Sequence, residues 1–408
     1  MAESKLRFTQ DNGERYPDLA HLTMGDIYTE RNDRGDPSLP VLTVSIHSGV
    51  SDGELDEDEL GKRVKRSSDL SQYKKAVSGD LVFNMMRAWQ GAVGCVKTTG
   101  LTSPAYIVAK PNEKIYPPYM DYYVQTKNII DKFNRLSYGA LDFRKRLYWD
   151  SFITADINIP VLEEQKKIAD FLAIVDEAIT ASDAEVINLE IQKKAVMKKI
   201  FSQEVRFARP DGSFFPDWEV KTIENCSEMI KDGTHGTHKN TTTDGHLLLS
   251  AKDIYDGFVH KPHDARHISD DDYRTIYKTY SLSIGDVLVT IVGTLGRTAV
   301  VTEDCLDVAF QRSVGIIRPL KYISSIYLQY VMNNPSFQKE LERKKSKGAQ
   351  AGIYLGTLAK IQIPIPCLEE QRMIADFLSD FDEAITAAKK ELGLWKQLKK
   401  TLLQQLFV

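Results

Sequence analysis

Cysteine is scarce: Cys95, Cys226, Cys305 and Cys367 are the only four in 408 residues, and no two stand in a Cys-x-x-Cys pair. That excludes a secreted disulfide framework and predicts reduced, mostly buried thiols in a cytoplasmic protein. Long apolar runs are missing too. No stretch approaches a membrane span, and the opening Met-Ala-Glu-Ser-Lys-Leu-Arg-Phe has no apolar signal core, so neither membrane nor leader is expected. An excess of one charge is also absent: 53 Lys+Arg against 57 Asp+Glu leaves a net −4. The chain is no polycation, but a local basic face rather than a basic average is what nucleic acid needs. Finally, there is no Walker loop and no dinucleotide fingerprint. What remains is a globular composition, 42% apolar and 27% charged, too long for a single ordinary core.

The chain is written twice. Residues 160–181 read PVLEEQKKIADFLAIVDEAITA and residues 366–387 read PCLEEQRMIADFLSDFDEAITA, with 16 of 22 positions identical at an offset of 206. Arg7-Phe8, Gly13 and Tyr16-Pro17-Asp18 recur as Arg206-Phe207, Gly212 and Phe215-Pro216-Asp217, and Gly79-Asp80 recurs as Gly285-Asp286. The period far exceeds the ~20–50 residues of solenoids, so this is a duplicated unit rather than a stacked array. Four segments follow: globular halves at 1–158 and 204–362, and long helices within 159–203 and 363–408.

Alternating three and four spacing predicts both helices. Leu172, Val175, Ile179, Ser182, Val186, Leu189, Lys193, Val196 and Ile200 form one coiled-coil seam. Leu378, Phe381, Ile385, Ala388, Leu392, Trp395, Lys399, Leu402 and Leu406 form the other, in the same register. Glu163 and Glu164 open the first helix and Lys198 and Lys199 close it, as the helix dipole favours, and Pro160 and Pro366 bar extension backwards. An apolar stripe could pack on its own domain or on another protein. Matched lengths and phases favour an antiparallel pair within the chain.

The globular halves mix short strands with few helices. Strands are expected at Val41–Ile46, Leu81–Asn84 and Tyr106–Lys110, and at Leu247–Ser250, Val287–Ile291 and Val314–Arg318. Helices are expected at Tyr119–Phe133 and Ser324–Leu341. Strands without regular intervening helices indicate α+β rather than a doubly wound sheet. Charge is uneven: residues 1–60 sum to −9, 61–150 to +9 and 311–360 to +7. Basic clusters stand at Lys62, Arg63, Lys65 and Arg66, at Arg144, Lys145 and Arg146, and at Arg343, Lys344, Lys345 and Lys347. Two of the three precede a long helix, which points to phosphate contact at equivalent places. A charge run is more usually a solvated face.

Three patterns suggest catalysis and then fall short of it. Tyr116-Pro117-Pro118-Tyr119 resembles an amino-methyltransferase motif, but tyrosine replaces the acceptor residue and no Gly-x-Gly loop precedes it; a Pro-Pro turn opening a helix fits better. Pro210-Asp211 with Glu219-Val220-Lys221 resembles a nuclease motif, yet the first repeat has Ala20-His21-Leu22 there. Six of eight histidines lie between His235 and His267, without the spacing that completes a zinc set. No catalytic residue and no metal site is assigned.

Two divergent globular domains, each followed by a Pro-x-Leu-Glu-Glu-Gln…Ile-Ala-x-Phe-Leu…Asp-Glu-Ala-Ile helix, resemble the specificity subunit of type I restriction-modification enzymes over essentially the whole chain. Asp232-Gly233-Thr234-His235 and Gly285-Asp286-Val287 also look like family segments; Cys367 stands where the family often has proline. The resemblance implies a non-catalytic subunit for phage defence and DNA methylation. Each half would read one part of a bipartite, asymmetric site on double-stranded DNA, with the antiparallel helices as a spacer. Two methyltransferase subunits and restriction subunits would dock on it. S-adenosylmethionine, ATP and magnesium would belong to those partners, none to this chain. Within that picture Arg87, His235, Lys252, Arg297 and Gln350 are candidate base readers, because Arg and Gln suit guanine and adenine edges. The competing class is a coiled-coil scaffold that does not bind DNA.

Overall fold

The computed structural model describes residues 6–46, 48–53, 70–139, 144–241, 245–346 and 352–407. The chain divides into two compact units, Met1–Asp183 with Lys390–Val408, and Ala184–Lys389. The division cuts through both long helices, Leu162–Phe201 and Leu368–Leu406, rather than falling at their ends. Antiparallel pairing is the reason, because each unit holds the start of one helix and the end of the other.

In the first unit, four antiparallel strands run in the order Tyr28–Arg31, Tyr106–Pro111, Leu81–Asn84, Val93–Cys95. The second unit repeats the order with Ser227–Asp232, Val314–Pro319, Val287–Thr290, Thr298–Val300. The turn into the third strand of each needs glycine, since Gly79 and Gly285 have φ of 94° and 89°. The aspartate after it is buried. Asp80 is held by Arg31 (2.7 Å) and Asp286 by Arg318 (2.8 Å), arginines from different strands of the two sheets. Smaller sheets differ between the units: Lys74–Ala76 pairs with Gly100–Thr102 in one, and His246–Leu249 lies between His267–Ile268 and Ala309–Phe310 in the other.

Three expectations need correction. The predicted strand at Val41–Ile46 is only Val44–Ser45, with Val41 in an isolated bridge. Each predicted single helix is two. Pro117–Tyr123 and Lys127–Leu136 are separated where Thr126 takes an extended N-cap conformation. Ser325–Asn333 and Pro335–Lys344 are separated where Pro335 opens a new helix and the Asn334 side chain caps it.

A two-stranded clasp that the sequence does not announce closes each half. Ala20–Thr23 pairs with Asp156–Ile159, and Glu219–Thr222 with Gln362–Ile365. Glu219 and Lys221 therefore belong to a clasp strand, where they form an ion pair of 2.8 Å. Pro117 does open a helix.

The long helices belong to both cores. In the first unit Ile168, Leu172 and Val175 pack with Leu402, Leu406 and Phe407 under the sheet side chains Leu81, Phe83 and Ile107. In the second, Ile374, Ala375 and Leu378 pack with Met197 and Ile200 under Val287, Val289 and Ile317. Every seam residue named above is buried or half-buried. Ion pairs mark the antiparallel course: Asp176–Lys399 (2.5 Å) and Asp183–Lys396 (3.9 Å) in the first unit, Glu190–Lys389 (2.8 Å) and Lys193–Asp382 (2.5 Å) in the second.

Candidate nucleic-acid interface

The repeated motif places two polar side chains where water cannot reach them. Glu164 and Glu370 are buried and each receives an arginine from the start of its own repeat, Arg7 and Arg206, the second pair at 3.0 Å. The glutamate raises the Arg7 guanidinium pKa further above its ordinary value, through the hydrogen bond first. Gln165 accepts from the backbone N–H of Tyr116 (2.9 Å) and donates to the carbonyls of Lys114 and Pro160. Gln371 does the same with Ser324 N–H (2.8 Å) and the carbonyls of Tyr322 and Pro366. The most repeated segment is thus a lock between long helix and globular half.

Beyond the lock, two loops meet in each unit. In the first, Leu147 is fully buried and its N–H donates to the Met85 carbonyl (2.9 Å), tying 144–148 to the turn after Leu81–Asn84. Tyr138 and Arg146 exchange backbone hydrogen bonds at 3.1 and 2.9 Å. Lys145 then stands 4.9 Å from the Trp89 ring, and Tyr138 and Tyr148 pack at a tilt of 34° with centroids 4.9 Å apart. Arg87, Met86 and Tyr138 are exposed around them. The second unit builds the same junction: buried Ile353 donates to the Ile291 carbonyl (2.9 Å), Ser346 N–H to Gly352 O (2.8 Å), and Tyr354 is 75% exposed. Arg297 sits on the adjoining turn, its backbone N–H anchored on the Thr290 hydroxyl and its guanidinium donating to Ile254 O (3.4 Å).

Of the expected DNA-contacting residues, Arg87, Arg144, Lys145 and Arg146 lie on this first junction. Lys252 and His235 are exposed on other loops of the second unit, His235 paired with Asp232 (2.7 Å). Arg343 and Lys344 pair with Glu340 and Lys345 with Glu342 on their own helix, so that cluster is less positive than its sequence. Exposed pairs of this kind are screened by solvent and hold the side chains only weakly. Lys62, Arg63, Lys65, Arg66, Lys347 and Gln350 lie outside the described residues. Trp89, Tyr138, Tyr148 and Tyr354 stand at the junctions without having been among the expected residues. For Tyr148 the sequence carries a signal, an aromatic beside a basic cluster, as in Arg144-Lys145-Arg146-Leu147-Tyr148.

Several of the histidines have structural partners. His238 is held between Asp272 (3.0 Å) and the Thr234 hydroxyl (2.8 Å), and His246 stacks on Tyr273. Among the described residues no three His, Cys, Asp or Glu side chains converge as a metal set, and no helix is long and apolar enough to cross a membrane.

The architecture defines a duplicated α+β protein whose two units are each built on a pair of long helices. The model of the type I restriction modification DNA specificity domain matches residues 15–191 and again 217–392, and the chain belongs to that family. It is 25% identical over 364 residues to the type I restriction enzyme MjaVIII specificity subunit of Methanocaldococcus jannaschii, spanning 85% of this chain and 84% of that one. It is 27% identical to the EcoBI specificity subunit of Escherichia coli, over 53% of this chain and 49% of that protein. In fold it resembles a chain from a type I R-M system complex (TM-score 0.59, 18% identity, 96% and 98% covered). The S subunit of a type I restriction-modification system from M. genitalium is similar in fold as well (TM-score 0.57, 11% identity, 100% and 99% covered). This chain is accordingly a non-catalytic specificity subunit.

Proposed function

We propose that each unit reads one half of a bipartite, asymmetric site in double-stranded DNA through its loop junction, and that the helix pair sets the gap. The carrying observation is the recurrence of one junction, Leu147 on Met85 and Ile353 on Ile291, on equivalent strands of both units. Around each stand cations for phosphates and exposed aromatics for apolar contact in a groove. The loops differ in sequence between the units, which supports unlike half-sites. The long helices, repeated almost residue for residue around each buried lock, offer two similar outer surfaces, suited to two identical methyltransferase subunits. Restriction subunits would complete the assembly in the cytoplasm. S-adenosylmethionine, ATP and magnesium belong on this reading to those partners, and this chain binds none of them.

The test is K145Q/R146Q with R297Q, titrated against DNA in the complex at several salt concentrations. We expect weaker binding to all sequences and a salt slope shallower by about one for each phosphate no longer neutralised. An unchanged slope removes the junctions from the interface.

A further inference from the structure

Two lysines stand where the heptad calls for apolar residues. Lys193 and Lys399 occupy seam positions 206 residues apart, with only 18% and 29% of their side chains exposed. A charge in such a seam is costly unless it is paired, and both have the same kinds of partner. In the first unit the Lys399 ammonium meets one carboxylate oxygen of Asp176 (2.5 Å) and lies 5.4 Å from the Tyr122 ring. The Tyr122 hydroxyl donates to the other oxygen of Asp176 (2.8 Å). In the second unit Lys193 meets one oxygen of Asp382 (2.5 Å), lies 5.0 Å from the Tyr330 ring, and Tyr330 donates to the other oxygen (2.6 Å). Burial first, and then the carboxylate, push both phenol pKa values far up, so each hydroxyl remains a donor.

Three elements meet in each knot. The tyrosine comes from a helix of the globular half, Pro117–Tyr123 or Ser325–Asn333. The aspartate comes from the long helix that follows that half, and the lysine from the opposite long helix. Apolar packing is non-directional, and a leucine seam tolerates a slip of one heptad or a small rotation. A carboxylate shared between a phenol and an ammonium has one solution: slip the helices, and the lysine leaves its aspartate; rotate the half, and the tyrosine leaves its acceptor.

We infer that the two Tyr–Asp–Lys knots are positioning devices that hold each globular half at one stance on the helix pair, fix the register of that pair, and so restrict the DNA gap to one length. This rests on the bipartite reading above. Tyr122, Tyr330, Asp176, Asp382, Lys193 and Lys399 are positioning residues, acting through the helices rather than on DNA.

The test is K193M/K399M in the full chain, in complex with its co-isolating subunits, by selection of bound duplexes from a random pool. Methionine keeps the length and suits an apolar seam. The wild type is expected to return two motifs at one gap. The variant is expected to return the same motifs spread over two or more gaps, and K193R/K399R to restore one. A variant that keeps the single gap overturns the inference, whatever its thermal stability. A wild type without paired motifs removes the bipartite reading and this inference with it. Should the methionine variant not fold, Y122F/Y330F replaces it, with the same spread expected and the same single gap as the contrary result.

Discussion

At the scale of residues, the repeated Leu-Glu-Glu-Gln is explained by what its last two side chains satisfy. Gln371 is wholly buried, accepts from one backbone N–H and donates to two carbonyls. Replacing it by leucine strands those groups, at about 1–3 kcal/mol for each that stays buried and unpaired. Q371L should therefore lower the thermal midpoint of the full chain by well over the ~2–4 °C that 1 kcal/mol produces in a large domain, while an exposed change such as Q397L leaves it in place. Equal midpoints for the two variants would contradict the lock. The motif was legible in sequence as a repeat, but its purpose was not, because Ser324 lies 47 residues from Gln371 and Arg206 lies 164 from Glu370. The basic cluster at Arg343, Lys344 and Lys345 looks more positive along the sequence than it is in space. Glu340 and Glu342, one helical turn away, take up the charge that the run advertises.

At the scale of elements, the long helices were legible because 3–4 spacing reports a seam directly. Lys193 and Lys399 keep that spacing but interrupt its apolar character, and only the aspartates and tyrosines around them account for it. The clasp strands were invisible: Ala20–Thr23 and Glu219–Thr222 are four residues each and owe their extended form to a partner far along the chain. The charges flanking the seam carry a further consequence. Beside the seam, one pair in each unit has its acid on the first long helix and its base on the second, Asp183 to Lys396 and Glu190 to Lys389, whereas the seam pair Lys193–Asp382 runs the other way. The flanking pairs therefore favour first-with-second pairing, and two copies of either helix would set like charges together. D183K/E190K should cost roughly 1–2 kcal/mol, since each exposed attraction of about 0.2–1 kcal/mol becomes a repulsion of similar size. Adding K389E/K396E should recover most of it in thermal unfolding. A quadruple variant no more stable than the double would show that these charges have no part in pairing.

At the scale of the whole molecule, duplication does the organising. The same four-stranded order, the same lock, the same knot and the same loop junction occur twice, while the smaller sheets that carry the differing loops do not repeat. That division between shared frame and unlike loops was visible in sequence, because 16 identical residues of 22 recur while residues 34–77 and 232–283 show no alignment by eye. How the helices are divided between the units was not visible, since it depends on which half of each helix finds which core. The central claim is that the helices are the spacer between two half-site readers, and shortening them tests it most directly. Deleting Asp183–Leu189 and Ile385–Glu391 removes one heptad from each helix and leaves both knots and the seam phase in place. Seven residues are about 10 Å of helix, or about three base pairs at ~34 Å per turn of DNA. Duplexes selected by the shortened complex should carry the parental motifs at a gap smaller by about three base pairs. The parental gap, retained by a folded and binding variant, would contradict the account.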